Sequence, residues 1–289
     1  MLHRWIELGL SINPWLIGFI GSAAVAGTAL WKRALTRSGA AAAVIMGTIY
    51  YSCGDLVWFG LLLTFFISST FWSKWKKRKK AHLDQIYEKT GERDAGQVFA
   101  NGGIGMLLCI VNFIWPSPYW LWLFIGVMAT VNADTWATEI GSLSRRLPRS
   151  LLSGKQVEAG TSGAISLLGT LASVAGAFTI GMAAMCLMIL QHAIIGQEPV
   201  EGLNWTYFLI IIVAASIGGT AGALVDSLLG ATIQAGYQCN ACGASTERLM
   251  HCGAATKHIR GLSWLNNDNV NLLASCAGGL MSIVVILLL

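Results

Sequence analysis

The chain has 289 residues, 55% of them hydrophobic and 11% charged, with a formal net charge of +5 and a mean hydropathy of +0.61. A soluble domain carries about a quarter charged residues, so this chain cannot cover its own surface with polar groups and reads as an integral membrane protein. A span takes about 20 apolar residues, so the length holds roughly eight spans with short loops and excludes a two-domain enzyme on a membrane anchor.

Apolar runs occupy 12–30, 38–54, 55–73, 98–115, 119–138, 163–190, 205–229 and 270–289. Only helices or closed barrels satisfy backbone polar groups in lipid, and these runs are too long and continuous for barrel strands. The predicted fold is therefore all-α and integral to the membrane, a single polytopic domain over 1–289 with about eight transmembrane helices. The first run is not a cleaved signal peptide, because its positive flank (Lys32, Arg33, Arg37) follows it. That flank places the N-terminus outside, and eight spans return the C-terminus to the same side.

In this topology the inner segments are 31–37, 74–97, 139–162 and 230–269, and they hold 18 of the 19 Lys and Arg residues, leaving only Arg4 outside. The positive-inside rule demands such a bias. The run Lys74, Lys76, Lys77, Arg78, Lys79, Lys80 reads as an orientation signal in contact with anionic lipid, with no chemistry of its own. The membrane expected is the plasma membrane of a prokaryote.

Ionisable groups at the membrane ends of helices are functional candidates, because they are there at a cost. Here the polar clusters gather on the inner side: ANGGIG (100–105) opening the fourth helix, NADTWATEIG (132–141) closing the fifth, GTSGAIS (160–166) opening the sixth, VDSLLGATIQ (225–234) closing the seventh and WLNNDNVN (264–271) opening the eighth. The outer loop 191–204 has Glu198 and Glu201 but no comparable signature. Two segments also match in order: IGVMATVNADT (125–135) and IGGTAGALVDS (217–227) both read Ile-Gly, seven residues, Asp, then Thr or Ser. Each precedes a loop and a helix that opens alike, AISLLGT (164–170) and NVNLLAS (269–275), which predicts a parallel helix-loop-helix repeat. Asp134 and Asp226 then face one another across a shared site.

Asp134, Asp226 and Asp268, with Glu139 nearby, repel one another in one vestibule unless a cation neutralises them. Hard oxygen donors suit magnesium, which binds through one or two carboxylates plus substrate phosphates. The competing reading is that some of these groups only cap helices, and Asp268, just before an apolar run, is the most exposed to it. Gly102 and Gly103 in ANGGIG, and Gly160, Thr161 and Ser162 in GTSG, have the form of helix starts that bind phosphate through backbone amides. Close helix packing is the other use of such residues. There is no Walker A sequence and no dinucleotide fingerprint.

Together GERDAGQVFANGG (91–103), NADTWATEIG, GTSGAISLLGTLAS (160–173), GALVDSLLGATIQ (222–234) and the cysteine-containing stretch ending in WLNNDNVN resemble the polytopic membrane family that contains the phytyl-phosphate kinases and their uncharacterised relatives. The resemblance covers nearly the whole chain in order. It implies a phosphotransferase that moves a phosphoryl group from a nucleotide, CTP or ATP, to a polyprenyl monophosphate, giving the diphosphate. On that reading Asp134, Asp226 and Asp268 hold magnesium and Glu139 completes or orients the shell. Arg93, Lys155 and Lys257 are then candidates for phosphate contact, and Asn101, Asn132 and Asn267 for hydrogen bonds. No general base is required, since the acceptor phosphate is already an anionic nucleophile. The partners are the lipid phosphate, the nucleotide and membrane lipids, with no nucleic acid.

Cys53, Cys109, Cys186 and Cys276 lie in or at helices and read as small apolar residues. Cys239, Cys242 and Cys252 with His251 form a C-x2-C-x8-H-C array in the cytoplasmic loop 230–269, where thiols stay reduced. A structural zinc site with three thiolates and His251 or His258 is one reading. An unmetallated loop is the other, because adjacent His251 and Cys252 do not easily reach one tetrahedral metal. The rival to the kinase is an ion-coupled transporter, which also shows parallel repeats and intramembrane carboxylates but places its site near the midplane.

Overall fold

The computed structural model describes residues 13–75, 91–195 and 204–289. Arg4, the basic residues from Lys76 to Lys80, and Glu198 and Glu201 lie outside them. Eight α-helices run through the described residues: α1 (Pro14–Trp31), α2 (Arg37–Ile49), α3 (Leu56–Lys74), α4 (Ala95–Ile114), α5 (Pro118–Gly141), α6 (Leu167–Ile195), α7 (Trp205–Thr232) and α8 (Asn267–Leu288). Each falls on one of the apolar runs. Six of them are long and apolar enough to cross a membrane. Of the other two, α2 continues into a π-helical turn over Tyr50–Gly54, and α5 carries Asp134 and Glu139 in its last two turns.

Helix α5 is the centre of the bundle. It packs against α3, α4, α6, α7 and α8, and its residues from Phe124 to Ala133 are all buried. Trp58 of α3 stacks on Phe124 with ring centroids 4.3 Å apart, and Tyr50 donates from its hydroxyl to the Gly102 carbonyl at 2.9 Å. Close approach on the α7 and α8 side depends on small residues. A Cβ on Gly219 of α7 would stand 2.8 Å from the backbone of Ala129, and one on Gly126 of α5 would stand 2.9 Å from the Cα of Gly279 in α8. The contacts are exchanged, α5 touching α7 and α8 while α7 touches α5 and α6.

Two short sheets join the helices at one end. Strands β1 (Arg149–Ser150) and β2 (Ala164–Ile165) form an antiparallel ribbon between α5 and α6. Between α7 and α8 the chain builds β3 (Gly236–Cys239), β4 (Ser245–Thr246), β5 (Met250–His251) and β6 (Ala254–Arg260), an antiparallel sheet in the order β4-β3-β6-β5. The segment expected as a loop over 230–269 thus contains a small β-knob, whose strands are two to four residues long except for the seven-residue β6, which shows no strict apolar-polar alternation to announce it.

Two expected helix starts move. Helix α4 begins at Ala95, where Asp94 and Gln97 form a capping box: the Gln97 amide donates to Asp94 Oδ1 at 2.9 Å and the Asp94 amide to Gln97 Oε1 at 3.2 Å. ANGGIG therefore lies inside the helix, past its first turn. Helix α6 begins at Leu167, which leaves GTSG in the loop before β2.

Candidate functional site

A polar cavity of about 630 Å³ opens where the last turns of α3, α5 and α7 meet the first turns of α4 and α8. Its wall holds Asp134, Glu139, Asp226 and Asp268, and with them Arg93, Asn101, Gly160, Thr161, Ser162 and Asn267. Asp134 and Asp226 come from the matching positions of α5 and α7, and the carboxylates of Asp134 and Glu247 lie close enough to Asp226 to repel its charge. Among the described residues, four buried side-chain polar atoms have no hydrogen-bond partner, and three of them line this cavity: Asp226 Oδ2, Asn271 Oδ1 and Ser173 Oγ. Buried polar atoms are almost always satisfied, so these three are open to partners from outside the chain, water included.

Asp268 is not the helix cap. Asn266 takes that role, its side chain accepting from the Asn269 amide at 3.1 Å. Asp268 is left in the first turn of α8 on the cavity wall. Glu139 accepts from Ser73 at 2.6 Å, which ties α5 to the end of α3.

Arg93 is held from three directions. Its backbone pairs with the α1–α2 connection, the Arg93 amide donating to the Ala34 carbonyl and the Thr36 amide to the Arg93 carbonyl, both at 3.0 Å. Its guanidinium donates to Thr70 at 3.3 Å and lies 5.9 Å from the ring centroid of Phe65 and 6.0 Å from that of Phe66. Burial pushes its pKa down from the usual arginine value, and the Glu139 charge opposes that. An arginine stays protonated under such a shift, so the cavity contains a fixed cation opposite its carboxylates.

Five of the expected site residues are elsewhere or employed differently. Asn132 is fully buried, donating to the Gly176 carbonyl at 2.7 Å and accepting from Ser68 at 2.9 Å. Both halves of its amide are used up in joining α5 to α6 and α3. Gly102 and Gly103 have helical amides unavailable to phosphate, and Gly102 packs against the end of the Met46 side chain, which would have to shift to admit a Cβ there. Lys155 and Lys257 are exposed, on the β1–β2 ribbon and on β6, and neither lines the cavity. In GTSG the glycines serve the turn. Gly160 has φ +89° and Gly163 φ +74°, and a Cβ on Gly163 would collide with Ala231 at the end of α7.

The cavity also contains a residue that the motifs did not show. Glu247, between β4 and β5, accepts at Oε1 from Ser162 at 2.8 Å and from Gln234 at 2.9 Å. It thereby joins the GTSG loop, the end of α7 and the knob.

In the knob, Cys239, Cys242, His251 and Cys252 place their ligand atoms within 4.8 Å of one another. The Cys239 thiol is held down to about 6, first by the backbone amide of Cys242 and then by a hydrogen bond with His251. The Cys252 thiol is raised, chiefly by its hydrogen bond to Cys242. His258 faces Tyr237 instead, with ring centroids 5.4 Å apart. The expected conflict between adjacent His251 and Cys252 is avoided by the backbone: Cys252 has φ +52° and Gly253 φ +73°, closing a two-residue turn between β5 and β6 that swings the Cys252 thiol back beside the imidazole.

The family model described as integral membrane protein DUF92 matches residues 20–279, and the chain belongs to that family, the one its motifs had indicated. Protein PGR of Arabidopsis thaliana is 29% identical over 255 residues, covering 83% of this chain and 85% of the relative. The membrane protein MJ0933 of Methanocaldococcus jannaschii is 32% identical over 260 residues, covering 88% and 87%. The chloroplastic protein VTE6 of Arabidopsis thaliana is 24% identical over 230 residues, covering 71% and 69%. No solved structure matches the chain.

Proposed function

We propose that this member of the DUF92 family is a magnesium- and nucleotide-dependent kinase that converts a polyprenyl monophosphate to its diphosphate at the cytoplasmic face of the membrane. The observation that carries the reading is the unpartnered, buried Oδ2 of Asp226 beside a second carboxylate, Asp134, on the wall of a polar cavity. A hard divalent cation satisfies such an oxygen and removes the repulsion at once. Asp134, Asp226 and Asp268 are the residues to hold magnesium, which supplies charge neutralisation for the transferred phosphoryl group. The similarity to VTE6 and the motif resemblance support the same class.

The lipid half of the substrate is suggested by a second feature. An apolar crevice between α1, α2, α3 and α4 is lined by Val25, Leu35, Met46, Phe59, Leu62 and Phe66, and it shares Arg93, Gln97 and Asn101 with the polar cavity. The crevice holds only about 60 Å³, so it would take the head-proximal end of an amphiphile's tail, with the phosphate at Arg93 and the rest of the tail in the surrounding lipid. The acceptor phosphate oxygen attacks the terminal phosphorus of the nucleotide, the bond to the bridging oxygen breaks, and a nucleoside diphosphate leaves. The acceptor is already ionised, so no side chain need take a proton.

Purified protein with magnesium, a panel of prenyl monophosphates, and CTP or ATP should give the diphosphate in at least one combination. Sidedness rests on the placement of the Lys and Arg residues. An impermeant thiol reagent should modify a Lys155→Cys variant in intact cells no more than it does the parent chain, and strong extra labelling would reverse the assigned face.

A further inference from the structure

We propose that Cys239, Cys242, His251 and Cys252 form a structural zinc site that staples together the two turns of the β-knob, independently of whether the cavity is a kinase site. Tetrahedral zinc has Zn–S of about 2.3 Å and Zn–N of about 2.0 Å, which puts two thiolate sulfurs about 3.8 Å apart and a sulfur about 3.5 Å from a nitrogen. In the structure Cys242 Sγ and Cys252 Sγ are 3.8 Å apart, and His251 Nδ1 lies 3.5 Å from Cys242 Sγ and 3.2 Å from Cys252 Sγ. These three separations match one face of a metal tetrahedron, and Cys239 Sγ, the fourth ligand atom, lies within 4.8 Å of all three.

The backbone gives a second, independent indication. A two-residue hairpin turn with positive φ at both positions prefers Asn, Asp or Gly at the first, and here Cys252 occupies it at φ +52°. A cysteine gains nothing there as a turn residue, but it gains a ligand position. On the other side of the site, the Cys239 amide donates to the Ala244 carbonyl and the Gly243 amide to the Cys239 carbonyl, both at 2.9 Å. This second tight turn, with Gly243 at φ +74°, presents Cys239 and Cys242 together.

The two turns flank Glu247, which follows β4 and reaches Ser162 and Gln234 on the cavity wall. A sheet whose strands run from two to seven residues is a poor anchor by itself. Zinc ties its two ends and thus fixes the segment that carries Glu247.

Protein purified without chelator should contain close to one zinc per chain by elemental analysis. Exchange with cobalt(II) should produce the visible ligand-field bands of a tetrahedral thiolate site. Cys242→Ser and Cys252→Ser should each lose most of the metal and those bands while keeping helical circular dichroism. If these variants fail to fold, the parent chain still decides. Removal of the metal by a strong chelator should open trypsin cleavage at Arg248 or Lys257, and zinc should close it again. Zinc at a small fraction of one equivalent, a disulfide between Cys242 and Cys252 in freshly isolated protein, or cleavage indifferent to zinc would each overturn the site. None of these readouts depends on phosphoryl transfer.

Discussion

Ser162 donates to Glu247 at 2.8 Å across 85 residues of sequence. The bond ties the loop that precedes α6 to the knob that precedes α8, two segments that share no strand. Both residues stand on the wall of the cavity, and Glu247 also acts on Asp226.

Replacing Glu247 separates its two roles. Glu247→Gln keeps an oxygen able to accept from Ser162 and Gln234 but removes the charge, so we expect the magnesium concentration for half-maximal turnover to change while the maximal rate stays near that of the parent. Glu247→Ala also breaks the tether, and displacement of a positioning loop should cost about 100-fold in rate. Turnover measured across a magnesium series distinguishes the two. Equal behaviour of Gln, Ala and parent would place Glu247 outside the reaction.

On the proposed reading Asp134→Asn and Asp226→Asn should each abolish turnover under saturating magnesium, since each would remove an anionic ligand of the metal without adding bulk. The stability response should run the other way for Asp226. Its Oδ2 has no partner and faces like charges from Asp134 and Glu247, so in magnesium-free buffer Asp226→Asn should be at least as stable as the parent, with a gain of up to about 1–3 kcal/mol. Thermal unfolding with and without magnesium tests this. A marked loss of stability in the metal-free variant would mean that the carboxylate is structural.

Asn132 shows how far a motif can mislead. It sits two residues before Asp134 in NADTWATEIG, yet its amide is spent on Gly176 and Ser68. Asn132→Ala should remove the buried hydrogen bonds that join α5 to α6 and α3 and cost about 1–3 kcal/mol of stability. The Michaelis constant of the folded fraction should stay unchanged, and a selective effect on substrate binding would return Asn132 to the site.

The eight apolar runs were legible because lipid imposes length and continuity on a span, and each structured helix falls on one of them. The carboxylates of α5 and α7 were legible because a charge near a membrane helix end stands out against its neighbours. The start of α4 was also present in the sequence, as Asp94 followed three residues later by Gln97, a capping-box signature overshadowed by the glycines behind it. Glu247 was not legible. Its partners Ser162 and Gln234 lie 85 and 13 residues away, and it belongs to none of the polar clusters at the helix ends. The knob was hidden for a related reason: its hairpin turn is Cys-Gly, a pair that signals neither a strand nor one of the turn dipeptides with positive φ.

The cavity lies at one end of the helices, where, on the proposed kinase reading, a lipid phosphate enters sideways from the adjoining leaflet. On that reading the tail stays in an apolar surrounding, partly in the crevice beside Arg93 and otherwise in lipid, and such a substrate would never cross the membrane. The proposed nucleotide is too hydrophilic to enter the bilayer and would arrive through the loops that carry Ser162 and Glu247. Neither reactant needs a sealed compartment or a gradient. Detergent-solubilised protein should therefore convert a prenyl monophosphate to the diphosphate at the expense of CTP or ATP, and Asp134→Asn should remove the conversion. An ion-coupled carrier behaves in the opposite way: it does no chemistry in detergent, and in sealed vesicles it accumulates a solute when an ion gradient is imposed. Well-folded solubilised protein that stays inactive across the full panel, while vesicles show gradient-driven uptake abolished by Asp134→Asn, would assign the carboxylates to transport instead.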